Sequence, residues 1–333
     1  MAASQTDDGS AEHLPVLYQS VLTWLRPQPE TRFIDGTLGG GGHAAGILTR
    51  GARLLGLDRD AEALRMAAHH LAPFADRAVL RQASYRIAPE IMQEIGWCTV
   101  DGILLDLGLS SLQLADPQRG FSFREDGPLD MRFDRSGGET AADLVNTLPE
   151  EDIAGILFRY GEERRARRIA RAIVRRRPIE NTRQLADIVS AAVGFTAGGR
   201  HRLHPATRTF QALRIAVNGE LEELERGLPA LMDCLEEGGR MAVIAFHSLE
   251  DRIVKQTFRR AAGKPIRGEE SGPGREREVL FRDVTGKPVI PDEAERTSNP
   301  RSRSAKLRVV ERIRSAGSKG GEQNPGGGCG KAV

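Results

Sequence analysis

Asp35 ends an apolar run and is followed by Gly36-Thr37-Leu38, then by Gly39 to Gly42 and His43. Glycines let backbone approach a ligand closely, and the first N–H groups of a following helix then face it. Asp58 closes the next apolar run, where an acidic side chain is placed to bind ribose hydroxyls. Two ligand classes use this layout. Gly39-x-Gly41-x-x-Ala44 fits the dinucleotide spacing. A carboxylate at position 35 would meet a pyrophosphate badly, however, and would suit the cationic amino-acid end of S-adenosylmethionine. Spacing alone leaves both readings open. No Gly-Lys-Ser/Thr follows, which excludes a P-loop.

Asp106 leaves a long apolar run and is followed by Leu107-Gly108-Leu109-Ser110-Ser111. Ligands bind at the carboxyl ends of strands in open α/β sheets, so Asp106 is a candidate catalytic group, although Asp or Ser before a helix also serves as a cap. Tyr85 could lie against an adenine face or be a packed core aromatic. His247 and Asp251, in Phe246-His-Ser-Leu-Glu-Asp, follow a later apolar run that belongs beside Asp106. They are candidates for positioning a base or taking a proton. Residues 162–177 read as one amphipathic helix, with Arg164, Arg168, Arg171 and Arg175 lining a face beside its apolar stripe. That row could grip phosphates over about 16 Å at 1.5 Å per residue. Phe210, Leu213, Val217, Leu221, Leu224 and Leu228 form a core stripe on a second long helix after Pro205, and Arg208 and Gln211 lie off it.

These groups need a scaffold. Apolar runs at 31–36, 53–58, 79–82, 100–107, 240–246 and 306–310 read as strands. Helical patterns between the early runs indicate a parallel α/β sheet, and Gly238-Gly239 reads as a helix stop before the strand at 240. The interval from 107 to 240 is far longer than a crossover requires. The division expected is a discontinuous sheet domain, 13–115 and 216–313, with a helical insertion at 116–215 that recognises RNA. Residues 1–12 and the Gly-rich 314–333 are expected to be disordered tails.

Composition narrows the classes. The 333 residues are ordinary in hydrophobic content (39%), so the chain should fold into a globular core. No run suits a membrane helix and the first residues do not resemble a secretory signal, so a cytoplasmic location is expected. Cys98, Cys234 and Cys329 are scattered, which supports neither a disulfide framework nor a zinc site. Net charge is +2, so any affinity for nucleic acid must come from local arginine clusters.

Several long stretches resemble the bacterial 16S ribosomal RNA (cytosine-N4)-methyltransferase family. They are Asp35–His43, Asp101–Ser111, Arg119–Asp134, Tyr160–Ile173, His204–Ile215 and Phe246–Lys255. The resemblance implies a class I, Rossmann-like S-adenosylmethionine methyltransferase sheet with an inserted helical domain. It implies donor-binding roles for Gly41, Gly42, His43, Asp58, Tyr85, Asp106 and Gln113, to which the reading above adds Asp35. Tyr85 stands where the family often has Phe, and Leu112 where it commonly has Pro. The implied substrate is a cytidine in the decoding region of 16S rRNA within the 30S subunit, methylated by a monomer or homodimer. No metal is expected. Two rivals remain, a nicotinamide-dependent oxidoreductase and a non-catalytic RNA-binding protein with a relic pocket, and methylation of DNA or protein by the same fold is a third, milder alternative.

Overall fold

The computed structural model describes residues 15–194, 204–266 and 279–313, so the two expected tails and Cys329 lie outside the described residues. Seven strands form one sheet: β1 (Arg32–Asp35), β2 (Arg53–Asp58), β3 (Ala78–Gln82), β4 (Val100–Asp106), β5 (Leu235–Ala245), β6 (Phe281–Asp283) and β7 (Lys306–Arg312). Their order is β3-β2-β1-β4-β5-β7-β6. The β1–β2, β1–β4, β2–β3 and β4–β5 pairs are parallel, and β7 runs antiparallel to both its neighbours. The central strands are apolar over their buried middles because both faces are covered; Phe33, Ile34, Leu54, Leu55, Ile103, Leu104 and Met241 are fully buried.

One face carries α4 (Ala88–Glu94), α11 (Glu220–Asp233) and α12 (Ser248–Ala261), packed through Met92, Leu228, Leu231 and Phe258. The other carries α1 (Tyr18–Leu25), α2 (Gly42–Thr49) and α3 (Ala61–His70), packed through Val21, Ile47 and Ala67. β1 lies between β2 and β4, so the connections leave it in opposite directions and open a crevice at its carboxyl end.

Between β4 and β5 the chain forms α5 (Ser111–Ala115), α6 (Ala141–Thr147), α7 (Glu150–Gly161), α8 (Ala166–Val174), α9 (Thr182–Val193) and α10 (Ala206–Asn218) before α11. Residues from Phe121 to Leu213 build a separate apolar core there.

Three expectations need correction. The helix expected at 162–177 is shorter: α7 ends in a left-handed residue, Glu162 (φ 47°), and α8 starts at Ala166. Arg164 therefore sits in the connecting turn, and Arg168 to Arg175 span only about 10 Å at 1.5 Å per residue. The long helix after Pro205 is two helices, broken at Gly219 (φ 63°), a conformation open to glycine at little cost. Gly238-Gly239 does not stop a helix: α11 ends at Asp233, and both glycines lie inside β5, where its register with β4 shifts. β6, only three residues long, carries no pattern that the sequence reading detects.

Candidate active site

The crevice opens into a cavity of about 650 Å³. The turn after β1 forms one wall. Gly36 N–H bonds to Leu104 O at 2.9 Å, Leu38 N–H to Leu57 O at 2.9 Å, and Gly39 N–H to the Asp58 carboxylate at 2.8 Å. The turn that follows β1 is thus tied to β2 and β4. Gly41 (φ 82°) caps α2 and points away from the cavity; a Cβ there would strain the backbone and crowd Leu71 at 3.2 Å. Gly42 and His43 do line the cavity and Gly41 does not, so a direct ligand contact expected of Gly41 is replaced by turn geometry.

Asp58 sits at the carboxyl end of β2 and also accepts from Asp60 N–H at 2.9 Å. Burial pushes its carboxyl above the usual range, against the pull of the amides of Asp60 and Gly39. Tyr85 lines the cavity beyond β3, and its ring packs on Gly227 of α11, where a Cβ would come within 2.5 Å of it. It is both a core aromatic and a cavity wall. Gln113 is buried and lines the cavity, but its polar atoms are engaged. Its Oε1 accepts from Ser110 N–H at 3.0 Å and its Nε2 donates to Asp60 at 3.0 Å. Gln113 and Ser110 form a capping box that starts α5. Arg119 donates to the same Asp60 oxygen at 2.6 Å, and both side chains of that pair are buried.

At the floor, the carboxyl end of β4 delivers Asp106. Its N–H donates to Thr37 Oγ1 at 2.6 Å, and its Oδ2 lies 3.6 Å from His43 Nε2. Asp106 Oδ1 and both His43 ring nitrogens are buried without a hydrogen bond of good geometry among the described residues. Tyr18 stacks on the imidazole at 5.9 Å. Asp35 is covered by the turn and does not line the cavity; burial pushes its carboxyl up to about 7, against the pull of His43 and the Thr37 amide. A direct contact between Asp35 and a ligand in the cavity is therefore not provided by this lining, whereas an indirect one is compatible with it.

The HSLED stretch behaves differently from expectation. His247 caps α12, and its Nε2 lies 3.1 Å from Glu250 Oε1. Asp251 faces away, held by Arg308 Nε at 2.7 Å and Lys306 Nζ at 3.3 Å. Neither lines the cavity, whereas Glu250 does. On a helix, adjacent residues point in different directions, so one turn carries Glu250 inward and Asp251 onto β7. Arg301, 190 residues from its partner Ser111, also lines the cavity and donates to Ser111 Oγ and to Leu109 O (2.7 Å). Arg214, Glu220 and Phe133 complete that side. The sequence patterns single out none of these five residues, Glu250 included, as site residues. Glu250 alone carried a signal, as the acidic third residue after a capping His247.

Arg164, Arg168, Arg171, Arg175 and Arg208, the arginines proposed for RNA, are all exposed, and none of them lines the cavity. Arg171 pairs with Glu150 at 3.4 Å, and Arg208 donates to Glu162 O at 3.3 Å. Glu162 also accepts from Ser248 Oγ at 2.5 Å and Arg252 at 3.1 Å, joining the insertion to α12.

The strand order, the antiparallel β7 and the glycine turn at the switch point define the Rossmann-like methyltransferase class of α/β protein. Within that class, the chain belongs to the MraW methylase family, whose profile matches residues 10–313. It is similar to the ribosomal RNA small subunit methyltransferase H of Syntrophobacter fumaroxidans, 51% identical over 308 residues that cover 90% of this chain and 96% of that one. The protein of the same name from Pelobacter propionicus is 52% identical over 310 residues, 91% of this chain and 99% of that one. Among solved structures, an rRNA methylase from Streptococcus thermophilus matches with a TM-score of 0.40 and 10% identity, over 89% of this chain and 94% of that one. At that distance the fold rests on the strand order itself.

Proposed function

We propose that this chain transfers the methyl group of S-adenosylmethionine to the exocyclic N4 amine of a cytidine in the decoding region of 16S rRNA within the small ribosomal subunit, in the cytoplasm. The observation that carries the reading is one cavity uniting the glycine turn, Asp58 and Tyr85 with an Asp106 carboxylate that has an unpartnered oxygen. The curated relatives, named as small-subunit ribosomal RNA methyltransferases, cover nine-tenths of the chain and supply the substrate class.

The residues fit the donor. Asp58 offers remaining carboxylate lone pairs for ribose hydroxyls, and Tyr85 offers an apolar wall for the adenine. His43 and Asp106 offer unsatisfied polar atoms for the amino-acid end and the methyl-bearing centre. When bound, S-adenosylmethionine supplies a methyl group already activated by its sulfonium. The protein must then position the amine, whose lone pair is delocalised into the ring. Asp106 accepts an N–H of the amine, draws the nitrogen towards a tetrahedral form and takes its proton. The base leaves its stack to reach this depth. The exposed arginines on and beside α8 bind rRNA phosphates and hold the subunit over the mouth.

Donor binding tests the first half. Calorimetry with S-adenosylmethionine should give saturable binding that Asp58→Ala weakens at least tenfold. Binding of NADH in its place would favour the oxidoreductase reading.

A further inference from the structure

The cavity that holds Asp106 is also lined by a second group of aromatic and charged side chains: Phe133 from the insertion, Phe246 beyond β5, Arg214 near the end of α10, Glu220 at the start of α11 and Glu250 in α12. Arg214 gives Nε and Nη2 to the two Glu220 oxygens, each at 2.8 Å. This fork fixes the guanidinium plane, and among the described residues no acceptor takes its Nη1. Glu250 is only 3% exposed. Its Oε2 accepts from Phe246 N–H at 2.8 Å and His247 N–H at 3.3 Å, which fixes its rotamer, while Oε1 has only the His247 ring at 3.1 Å. Burial pushes the Glu250 carboxyl up, but His247, Arg214 and the Phe246 amide outweigh it and hold it ionised below the usual range.

A fixed donor and a fixed carboxylate acceptor, lining one cavity with aromatic walls, match the pairing edge of an amino-bearing base such as cytosine and not that of uracil. Cytosine presents two acceptors, O2 and N3, next to its amine donor. Uracil presents an acceptor, O4, where cytosine has the amine, and a donor at N3. Carboxylates accept from the cytosine amine and Arg donates to base acceptors. Flipped bases are read through this edge and stacked on aromatic side chains.

We propose that Arg214 and Glu250 read the pairing edge of the target base. Glu250 accepts one N–H of the amine, and Arg214 Nη1 donates to N3 or O2. Phe133 and Phe246 flank the ring. This pair admits cytosine and refuses uracil, whose O4 would face the carboxylate. Glu220 and His247 act as positioning residues for Arg214 and Glu250. The inference rests on the cytidine reading above and assigns it residues.

The test uses the full chain, radiolabelled S-adenosylmethionine and small subunits lacking the modification. Glu250→Gln keeps the shape and one acceptor but turns an N–H group toward the amine. It should lower kcat/KM about 10²-fold, the scale of one lost specific contact, with donor Kd changed less than about twofold. Arg214→Lys keeps a cation against Glu220 but loses the fork, and should lower kcat/KM about tenfold. Subunits with uracil at the target serve as competitors. They should bind the wild type at least about tenfold less tightly than cytosine subunits, and Glu250→Gln should narrow that ratio to about threefold or less. Should Glu250→Gln lower Tm by more than a few degrees, Arg214→Lys carries the test in the same assays. Unchanged kcat/KM in the folded variants, or an unchanged cytosine-to-uracil ratio, overturns the proposal. A wild type that makes no N4-methylcytidine removes the underlying reading instead.

Discussion

His43 Nε2 stands 3.6 Å from Asp106 Oδ2 at the floor of the cavity, where the carboxyl ends of β1 and β4 meet. The contact is too long for a hydrogen bond, and Asp106 Oδ1 has no partner among the described residues. The carboxylate therefore keeps its accepting capacity for a ligand while a neighbouring ring limits its movement. Asp106→Asn retains shape and loses charge. Turnover should fall about 10²-fold or more, the range of a lost acid–base group, while donor binding weakens less than about tenfold. Single-turnover kinetics with calorimetry checks both, and full turnover would remove Asp106 from the chemistry.

Asp251 should behave in the opposite way. It joins α12 to β7 through Arg308 and Lys306, and Arg308 is buried. Asp251→Ala leaves that guanidinium unpaired, which costs about 3–5 kcal/mol for a buried pair and less for this half-buried one. Denaturant melts should show a loss of about 2–3 kcal/mol, discounted for that exposure, with turnover per folded molecule unchanged.

Asp35 gives the ligand-free protein a pH dependence. Burial raises its carboxyl from 3.8 to about 7, so the folded state binds a proton that the unfolded state has released. Stability from this group is fully present below about pH 4 and is lost as pH rises through 7, an upper limit on the order of 4 kcal/mol. Asp35→Asn removes the ionisation. Its Tm relative to wild type should rise steadily from pH 4 to pH 8, and a flat difference would show that Asp35 does not titrate in that window.

Arg168 and Arg171 are exposed on α8, and Arg171 has one exposed acidic partner. If both neutralise rRNA phosphates, Arg168→Gln/Arg171→Gln should reduce the log–log salt slope of subunit binding by roughly 1.4, at about 0.7 per phosphate on single strands. Filter binding between 50 and 200 mM salt reads the slope. An unchanged slope would place the contacts elsewhere.

Much of the scaffold was legible because it obeys local rules. β2 and β4 are apolar runs ending in acids, and the glycine turn after β1 has a composition few other structures need. Asp58 and Asp106 follow from that layout, Gly42, His43 and Tyr85 from the family resemblance, and all five line the cavity. The failures have physical causes. A helix ending in a non-glycine left-handed residue, as at Glu162, leaves no mark in periodicity, so the helix expected from 162 begins only at Ala166. His247 and Asp251 lie one turn from the cavity, but helix direction turns Glu250 inward instead. Arg301 reaches Ser111 across 190 positions, and nothing local in Asn299-Pro300-Arg301 signals that partner. Arg214 and Glu220 were hidden for a similar reason: the break at Gly219 brings them together, and a continuous helix would have set them apart.

The central claim is methyl transfer to small-subunit rRNA at a cytidine amine. Its most direct test incubates the full chain with methyl-labelled S-adenosylmethionine and purified small subunits lacking the modification, then digests the rRNA to nucleosides. One labelled product is expected, N4-methylcytidine from the decoding region, formed at least about 10²-fold more slowly by Asp106→Asn under matched conditions. Label in another nucleoside, or none despite saturable donor binding, would contradict it.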